Sequence, residues 1–384
     1  MPKSTAPKPS RRSRGEGAIY ATPDGRLRGA LSLPHPDGTR SVRRYVSGRT
    51  RAEVVRKLGE LRKASADGFL TGETTGAYLA RWIVTVRPRL RAATHQEYAR
   101  HVANYWTPLL GSVELARLTP THVDRAMAAL LDKGLSPQTV RHARSTLRRA
   151  LHDAQRDDLV NRNVAGLARP PALASREMRS LSAAEVARLV SATADHPYGP
   201  LFAFAVGSGL RLGEMLGLAW SDIDMDGRSL TVRRALARAY SGGYELAQPK
   251  TRGSRRTVML PSLAVEALRR QKARQAAMRL AAGTDWQDTR GLVFTDAIGR
   301  TVAPHTPSGA FRAVADRLGL PVRLHDCRHT AASLMLAAGV PLKAVSEALG
   351  HSSIAITADV YQHTTPDLMR SAADALDRAL TGEK

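Results

Sequence analysis

The sequence predicts a mainly α-helical chain with small β elements, an α+β organisation in three modules. Three observations lead there. Short strand-like runs broken by PDG turns occupy the first fifty residues, helical periodicity with clear start signals runs from residue 74 to 160, and beyond residue 180 helices alternate with a single cluster of strand-like runs.

Residues 1–14, MPKSTAPKPSRRSR, combine Lys, Arg, Pro and Ser without an apolar pattern and are expected to be a disordered basic arm. GAIYA, RLRGALSL and SVRRYVS then read as strands, and a helix signal follows at Thr50 to Lys63. Residues 15–65 are therefore predicted to be a three-stranded sheet with one helix, and residues 1–65 hold 16 basic against 5 acidic side chains. Such a module is too small for chemistry but suited to laying a sheet in a DNA groove, with Arg43 and Arg44 as candidate contacts; a solvated, charged subdomain is the alternative. Residues 66–160 are predicted to be all helical. Thr94 opens a helix through Tyr105, Thr119 and Pro120 open one through Lys133, and Ser136 and Pro137 open a long one through Asp157. On the last, Arg141, Arg144 and Arg148 recur at spacings of three and four, a basic stripe that is either a DNA contact or solvated surface. The Pro, Ala and Arg content of residues 161–179 marks an interdomain linker, after which Ser182 and Glu185, at capping-box spacing, open a larger domain over 180–384. Its strand cluster is SLTVRRA, YELAQPK and RRTVML, around residues 229–260.

A chain of 384 residues allows two or three such domains, and a formal net charge of +24 calls for a polyanionic partner, nucleic acid ahead of an anionic membrane surface. The N-terminus lacks the apolar core of a signal peptide and no apolar run approaches a membrane span, so a cytoplasmic protein is expected, with no membrane partner. The single cysteine, Cys327, excludes an intrachain disulfide and a cysteine-cluster zinc site, and the twelve histidines lack metal-ligand spacing. Neither metal nor cofactor is expected.

If the substrate is a phosphodiester, breaking it without metal takes cations on the nonbridging oxygens, a nucleophile, and an acid for the leaving oxygen. The last domain offers each. In GSGLRLGEMLGLAW, Arg211 stands between Gly209 and Gly213, where the backbone is uncrowded and a guanidinium fork can be presented, and Glu214 lies three residues on. In LHDCRHTAASLMLAAG, His325 and Arg328 share one side of a helix start. In QPKTRGSRRTVML, read as a hairpin, Lys250 is the sole lysine between Lys133 and Lys272, and an ammonium gives up a proton that a guanidinium keeps. In LGHSSIAITADVYQHT, His351 is placed to donate to a phosphate oxygen and Tyr361 to attack phosphorus. Each residue taken singly has an ordinary structural explanation; the ordered set does not.

The segments GLRLGEMLGLAWSDID, PKTRGSRRTVML, LHDCRHTAASLMLAAG and LGHSSIAITADVYQHT resemble the successive signature blocks of the tyrosine recombinases, the phage-integrase family, spread over about 155 residues. The helical module resembles that family's core-binding domain and the N-terminal sheet its arm-binding domain. The resemblance implies a site-specific DNA recombinase with a mixed α/β catalytic domain. Arg211 and Arg328 would clamp the scissile phosphate, His351 donate to a nonbridging oxygen, and His325 accept the tyrosine proton. Lys250 would protonate the 5′ leaving oxygen and Tyr361 form a 3′-phosphotyrosyl link, leading through a four-way junction to integration or excision of a mobile element. It further implies double-stranded core and arm sites, a homotetramer on DNA, a DNA-bending accessory protein and a directionality factor as partners in a bacterial host, and no cofactor, since the link conserves phosphodiester energy. Cys327 departs from the leucine usual between the histidine and arginine. Glu214 is expected to orient neighbours. The alternatives are an idle DNA-binding regulator on the same fold, a chromosome-dimer resolvase, and a type IB topoisomerase.

Overall fold

The computed structural model describes residues 18–22, 25–34, 41–66, 72–173, 179–248, 255–288 and 290–350, with isolated positions 353, 354, 373, 377, 380 and 381. The chain divides into two compact units, Met1–Ala174 and Ser175–Lys384. It is helix-rich with small sheets, as the sequence predicts.

The first unit holds two separate cores. Strands β1 (Ala18–Ala21), β2 (Leu27–Pro34) and β3 (Ser41–Gly48) form an antiparallel sheet in that order. Helix α1 (Arg51–Ala66) packs Val54 and Leu58 against Leu31, Ile19, Leu27 and Val46. Gly29 is required there, because a Cβ would lie 2.7 Å from a Val54 methyl. On the opposite face Tyr20 and Tyr45 are exposed, and the Arg28 guanidinium lies 4.7 Å from the Tyr45 ring centre. Arg43 is exposed in β3; the Arg44 side chain lies outside the described set. The basic arm, residues 1–14, also falls outside it.

The helical core is built from α2 (Thr75–Val86), α3 (Ala92–His101), α4 (Thr107–Leu110), α5 (Pro120–Asp132), α6 (Pro137–Arg156) and α7 (Val164–Leu167). Thr119 and Ser136 cap α5 and α6 through hydroxyls that accept from the His122 and Thr139 amides. Thr94 does not open α3, which begins at Ala92 behind an extended Arg91; Thr94 sits inside the first turn. The helix does not stop at Tyr105 either, since a π-turn (Val102–Trp106) joins α3 to α4. Val102, Trp106 and Leu110 are all buried at every fourth position, a spacing that drifts about 40° per step on an ideal α-helix, and the wider turn cancels the drift. Buried polar groups tie the surrounding helices to α6: Tyr78 Oη donates to the Ala150 carbonyl at 2.6 Å, Trp106 Nε1 to Ala143 at 2.9 Å, and Trp82 Nε1 to the Asp153 carboxylate at 2.9 Å. Val164, Ala165 and Ala168, within the stretch read as linker, belong to this core, as does Val160 just before it.

The second unit opens on α8 (Ala183–Ala192), capped by the Ser182 and Glu185 box. Its central element is α9 (Gly199–Ser208), whose LFAFAV run is buried. Then follow α10 (Leu212–Leu216), β4 (Ile223–Asp224), β5 (Ser229–Thr231), β6 (Ala235–Arg238), β7 (Tyr244–Ala247), β8 (Thr257–Met259), α11 (Ser262–Ala282), α12 (His305–Arg317), α13 (Asp326–Ala337) and α14 (Leu342–Leu349). The strands expected as one cluster make two sheets, β4-β5-β8 and β6-β7. The split falls at Arg233 and Arg234, which turn back to the buried Asp222 carboxylate, Arg234 at 2.8 Å. Strands β7 and β8, which the sequence reading joins as a hairpin, pair instead with β6 and β5. Cys327 is buried in the main core beside Leu324, and burial pushes its thiol pKa up.

Candidate active site

Two helix ends and one helix start meet in the second unit. Helix α9 stops at Gly209, whose left-handed backbone (φ 61°) turns the chain so that Arg211 enters α10 extended. The glycines around Arg211 serve close approach and not an uncrowded fork. A Cβ at Gly209 would lie 2.8 Å from Leu349, and one at Gly213 would lie 2.8 Å from the Leu236 carbonyl of β6. Glu214, at the third position of α10, is buried, and its carboxylate accepts from the Arg211 amide at 3.0 Å and from Arg211 Nη1 at 2.9 Å.

Arg328 lies in the first turn of α13 and is 4 % exposed. Its Nη1 donates to the Gly209 carbonyl at 2.9 Å and its Nη2 to Leu349 at 2.6 Å. Arg211 Nη2 donates to the next carbonyl, Gly350, at 3.0 Å. The two arginines predicted to act together are thus brought to consecutive carbonyls at the C-terminal end of α14, immediately before His351.

His325 stands at the position before α13, makes no side-chain cap bond and is exposed, and its ring meets that of His329 edge-on with centroids 5.4 Å apart. The protein packed around it, then the nearby Arg328 charge, lower its pKa below the ordinary imidazole value, so at neutral pH it is a neutral ring able to accept a proton. A cleft of about 600 Å³ beside it is lined by Ser308, Arg312, Arg323, Leu324 and His325. Lys250, His351 and Tyr361 lie outside the described residues.

One residue of this cluster escaped the sequence reading. Arg256 donates from Nη1 and Nη2 to the two Glu214 oxygens at 3.3 and 3.0 Å, and from Nε to the Ala348 carbonyl at 2.9 Å. Burial alone would raise the Glu214 carboxyl, but Arg256 and then Arg211 hold it below the usual carboxylate range. The signal was present: Arg256, Val258 and Leu260 alternate toward the core, and an inward arginine requires a carboxylate.

In the first unit the Arg141 fork donates to the Pro171 carbonyl at 3.0 Å, and Arg144 to Gly166 and Ala168 at 3.1 and 2.8 Å. Arg148 lines a cleft with Ser145, Arg149, His152 and Asn163. Among the described residues no group of three or more His, Cys, Asp or Glu could hold a metal ion, and no helix is long and apolar enough to cross a membrane.

Residues 179–367 match the phage integrase family. An integrase of Streptomyces ambofaciens is 30% identical, covering 96% of this chain and 97% of its own length. A tyrosine recombinase XerC-like protein of Caldanaerobacter subterraneus is 28% identical over 90% of this chain and 94% of its own. Among solved structures, the Tn1549 transposon integrase in complex with circular intermediate DNA superimposes with a TM-score of 0.65 at 22% identity, covering 78% of this chain and 99% of that one. A lambda integrase dimer bound to a COC′ core site gives 0.57 at 17% identity, covering 91% and 96%. The family match and the relatives define a tyrosine recombinase, and the chain belongs to the phage integrase family. It is an enzyme, a site-specific DNA recombinase.

Proposed function

We propose that this recombinase integrates or excises a mobile element by attack of Tyr361 on a scissile phosphodiester, giving a 3′-phosphotyrosyl link that the 5′ hydroxyl of a partner strand then resolves. Arg211 and Arg328 hold the nonbridging oxygens with His351, His325 takes the phenolic proton, and Lys250 protonates the departing 5′ oxygen. What supports this reading is the convergence of Arg211 and Arg328 on the Gly350 and Leu349 carbonyls, directly before His351, with a neutral His325 at the head of the same helix as Arg328. Two guanidiniums around one phosphate offset the charge that develops on its equatorial oxygens and favour the phenolate.

The partners follow from the same reading. The helical module and the catalytic module bind core-site DNA, and the basic sheet module binds a separate arm site. A lambda integrase relative of the fold is a tetramer bound to a Holliday junction, and this chain assembles likewise on double-stranded DNA in the cytoplasm of a bacterial host. A DNA-bending protein and a directionality factor complete the assembly. The division into a sheet module over 15–65, a helical module over 66–160 whose core extends to Ala168 within the stretch 161–179 read as linker, and a catalytic domain over 180–384 serves this two-site binding. The test is Tyr361→Phe. The variant is expected to bind attachment DNA and to yield no protein–DNA adduct on a denaturing gel, whereas an adduct persisting in it would remove Tyr361 from the role and turn attention to Tyr240 and Tyr244.

A further inference from the structure

We infer that Arg256 is a positioning residue for strand cleavage, acting through Arg211, and that the end of α14 is the part it fixes. The inference rests on the reading of Arg211 as a phosphate clamp. Three consecutive carbonyls at the C-terminus of α14 each accept from a different arginine: Ala348 from Arg256, Leu349 from Arg328 and Gly350 from Arg211. These are the groups that a helix leaves without partners and where its dipole is negative, so cations gather there for a physical reason. Of the three, Arg211 is the open one: Arg328 is buried at 4% exposure, and Arg256 is closed as well. The Arg256 side chain is 8% exposed and sits against the Glu214 carboxylate, itself 6% exposed, while 41% of the Arg211 side chain is open.

Glu214 is the hinge of the arrangement. Each of its oxygens serves both arginines, Oε1 accepting from Arg211 Nη1 and Arg256 Nη1, and Oε2 from the Arg211 amide and Arg256 Nη2. Without Arg256 the carboxylate keeps a single guanidinium partner and is free to rotate with it, and the Ala348 carbonyl loses its donor. Both ends of the Arg211 fork, Glu214 and Gly350, would then shift. Gly350 also matches this contact: a Cβ there would lie 2.7 Å from Arg256 Nη1. A lysine cannot replace the arrangement, because one ammonium does not span two carboxylate oxygens and a carbonyl in one plane.

The experiment uses the full chain and a nicked core-site duplex that traps the cleaved product, with single-turnover cleavage and DNA affinity measured side by side. Wild type, Arg256→Gln, Arg211→Ala and the double variant are compared on an ordinary phosphodiester and on a methylphosphonate, whose missing nonbridging charge removes the need for the clamp. Arg256→Gln is expected to cleave about 10²-fold more slowly at unchanged affinity, the scale of a small misplacement of a reacting group. The double variant should be no slower than Arg211→Ala, and on the methylphosphonate the Arg256→Gln defect should shrink as the Arg211→Ala defect does. Equal defects on both substrates, losses that multiply in the double variant, or a loss carried by affinity would overturn the inference while leaving the clamp intact. Full activity of Arg211→Ala would overturn the clamp reading and this inference with it. If Arg256→Gln does not fold, Arg256→Lys keeps the charge and answers the same comparison.

Discussion

Replacing Gly209 by alanine tests how tightly the two helix ends must meet. Gly209 has φ +61°, and its added Cβ would lie 2.8 Å from Leu349 Cδ2 and 3.3 Å from Ala331 Cβ. A left-handed non-glycine residue costs about 1–2 kcal/mol. Leu349 cannot swing away into solvent, since it is 1% exposed and packed with Ala332 and Val345, so overpacking adds about 1–3 kcal/mol. The sum is about 2–5 kcal/mol, or roughly 5–15 °C in the melting of a unit of about 200 residues. Gly319 supplies the control, because it has φ +66° and open space around its missing Cβ. Gly319→Ala should show the backbone penalty alone, about 3–6 °C. Gly209→Ala should also slow strand cleavage, because the Gly209 and Leu349 carbonyls are the two acceptors of the Arg328 fork. Thermal melting by circular dichroism and single-turnover cleavage provide the readouts. Equal melting shifts for the two variants, or equal slowing of cleavage, would refute the close-approach argument.

Stability is expected to fall as pH drops from 7 to 5. Burial lowers the pKa of His101, His196, His325 and His329, so the unfolded chain binds protons through about pH 6.5 that the folded one refuses; melting temperature rising or flat over that window would contradict this. The same depression of His325 places the acid limb of the cleavage rate below pH 6.5, and a limb above it would exclude His325 as the proton acceptor. On α6 the arginines should separate in kind. Arg144→Met should lower the stability of the helical unit by about 1.5–3 kcal/mol by releasing the Gly166 and Ala168 carbonyls. Arg148→Met should leave melting unchanged while weakening DNA binding and reducing its salt dependence by about 0.9 log unit per contact, and the opposite assignment of effects would refute the distinction.

Local signals carried most of the fold. Thr119, Ser136 and Ser182 were legible as helix starts because a cap is a contact within three residues, and alternation with PDG turns was enough for the three-stranded sheet. Partners far apart in sequence were not legible. Strand β8 pairs with β5 across β6 and β7, and no short-range rule distinguishes that from a hairpin at residues 248–260. The π-turn was hidden because a helix with one wide turn has nearly the same periodicity as one without it. Of the candidate site, Arg211, His325 and Arg328 could be named from the sequence because motif spacing singles them out. Arg256 was missed because its partners Ala348 and Glu214 lie 92 and 42 residues away, beyond the reach of any local spacing rule.

Composition could not separate arginines that hold this protein together from those that meet DNA, and the buried carboxylates now do. Asp153 is held by Arg149 and Arg156, Asp222 by Arg233 and Arg234, Asp326 by Arg323, and Glu214 by Arg211 and Arg256. These carboxylates would each cost several kcal/mol if buried alone, and because most of them hold two arginines, part of the surplus of +24 is structural in origin. Arg211 belongs to both groups. One carboxylate shared between Arg211 and Arg256 leaves that pair a net positive charge, and Arg328 beside it donates to the Gly209 and Leu349 carbonyls. The Arg211 and Arg256 pair therefore carries one positive charge beyond its carboxylate at the end of α14. If this is the phosphate site, as proposed, the negative charge that develops on a phosphodiester's nonbridging oxygens in the transition state meets the positive charge this pair holds in excess.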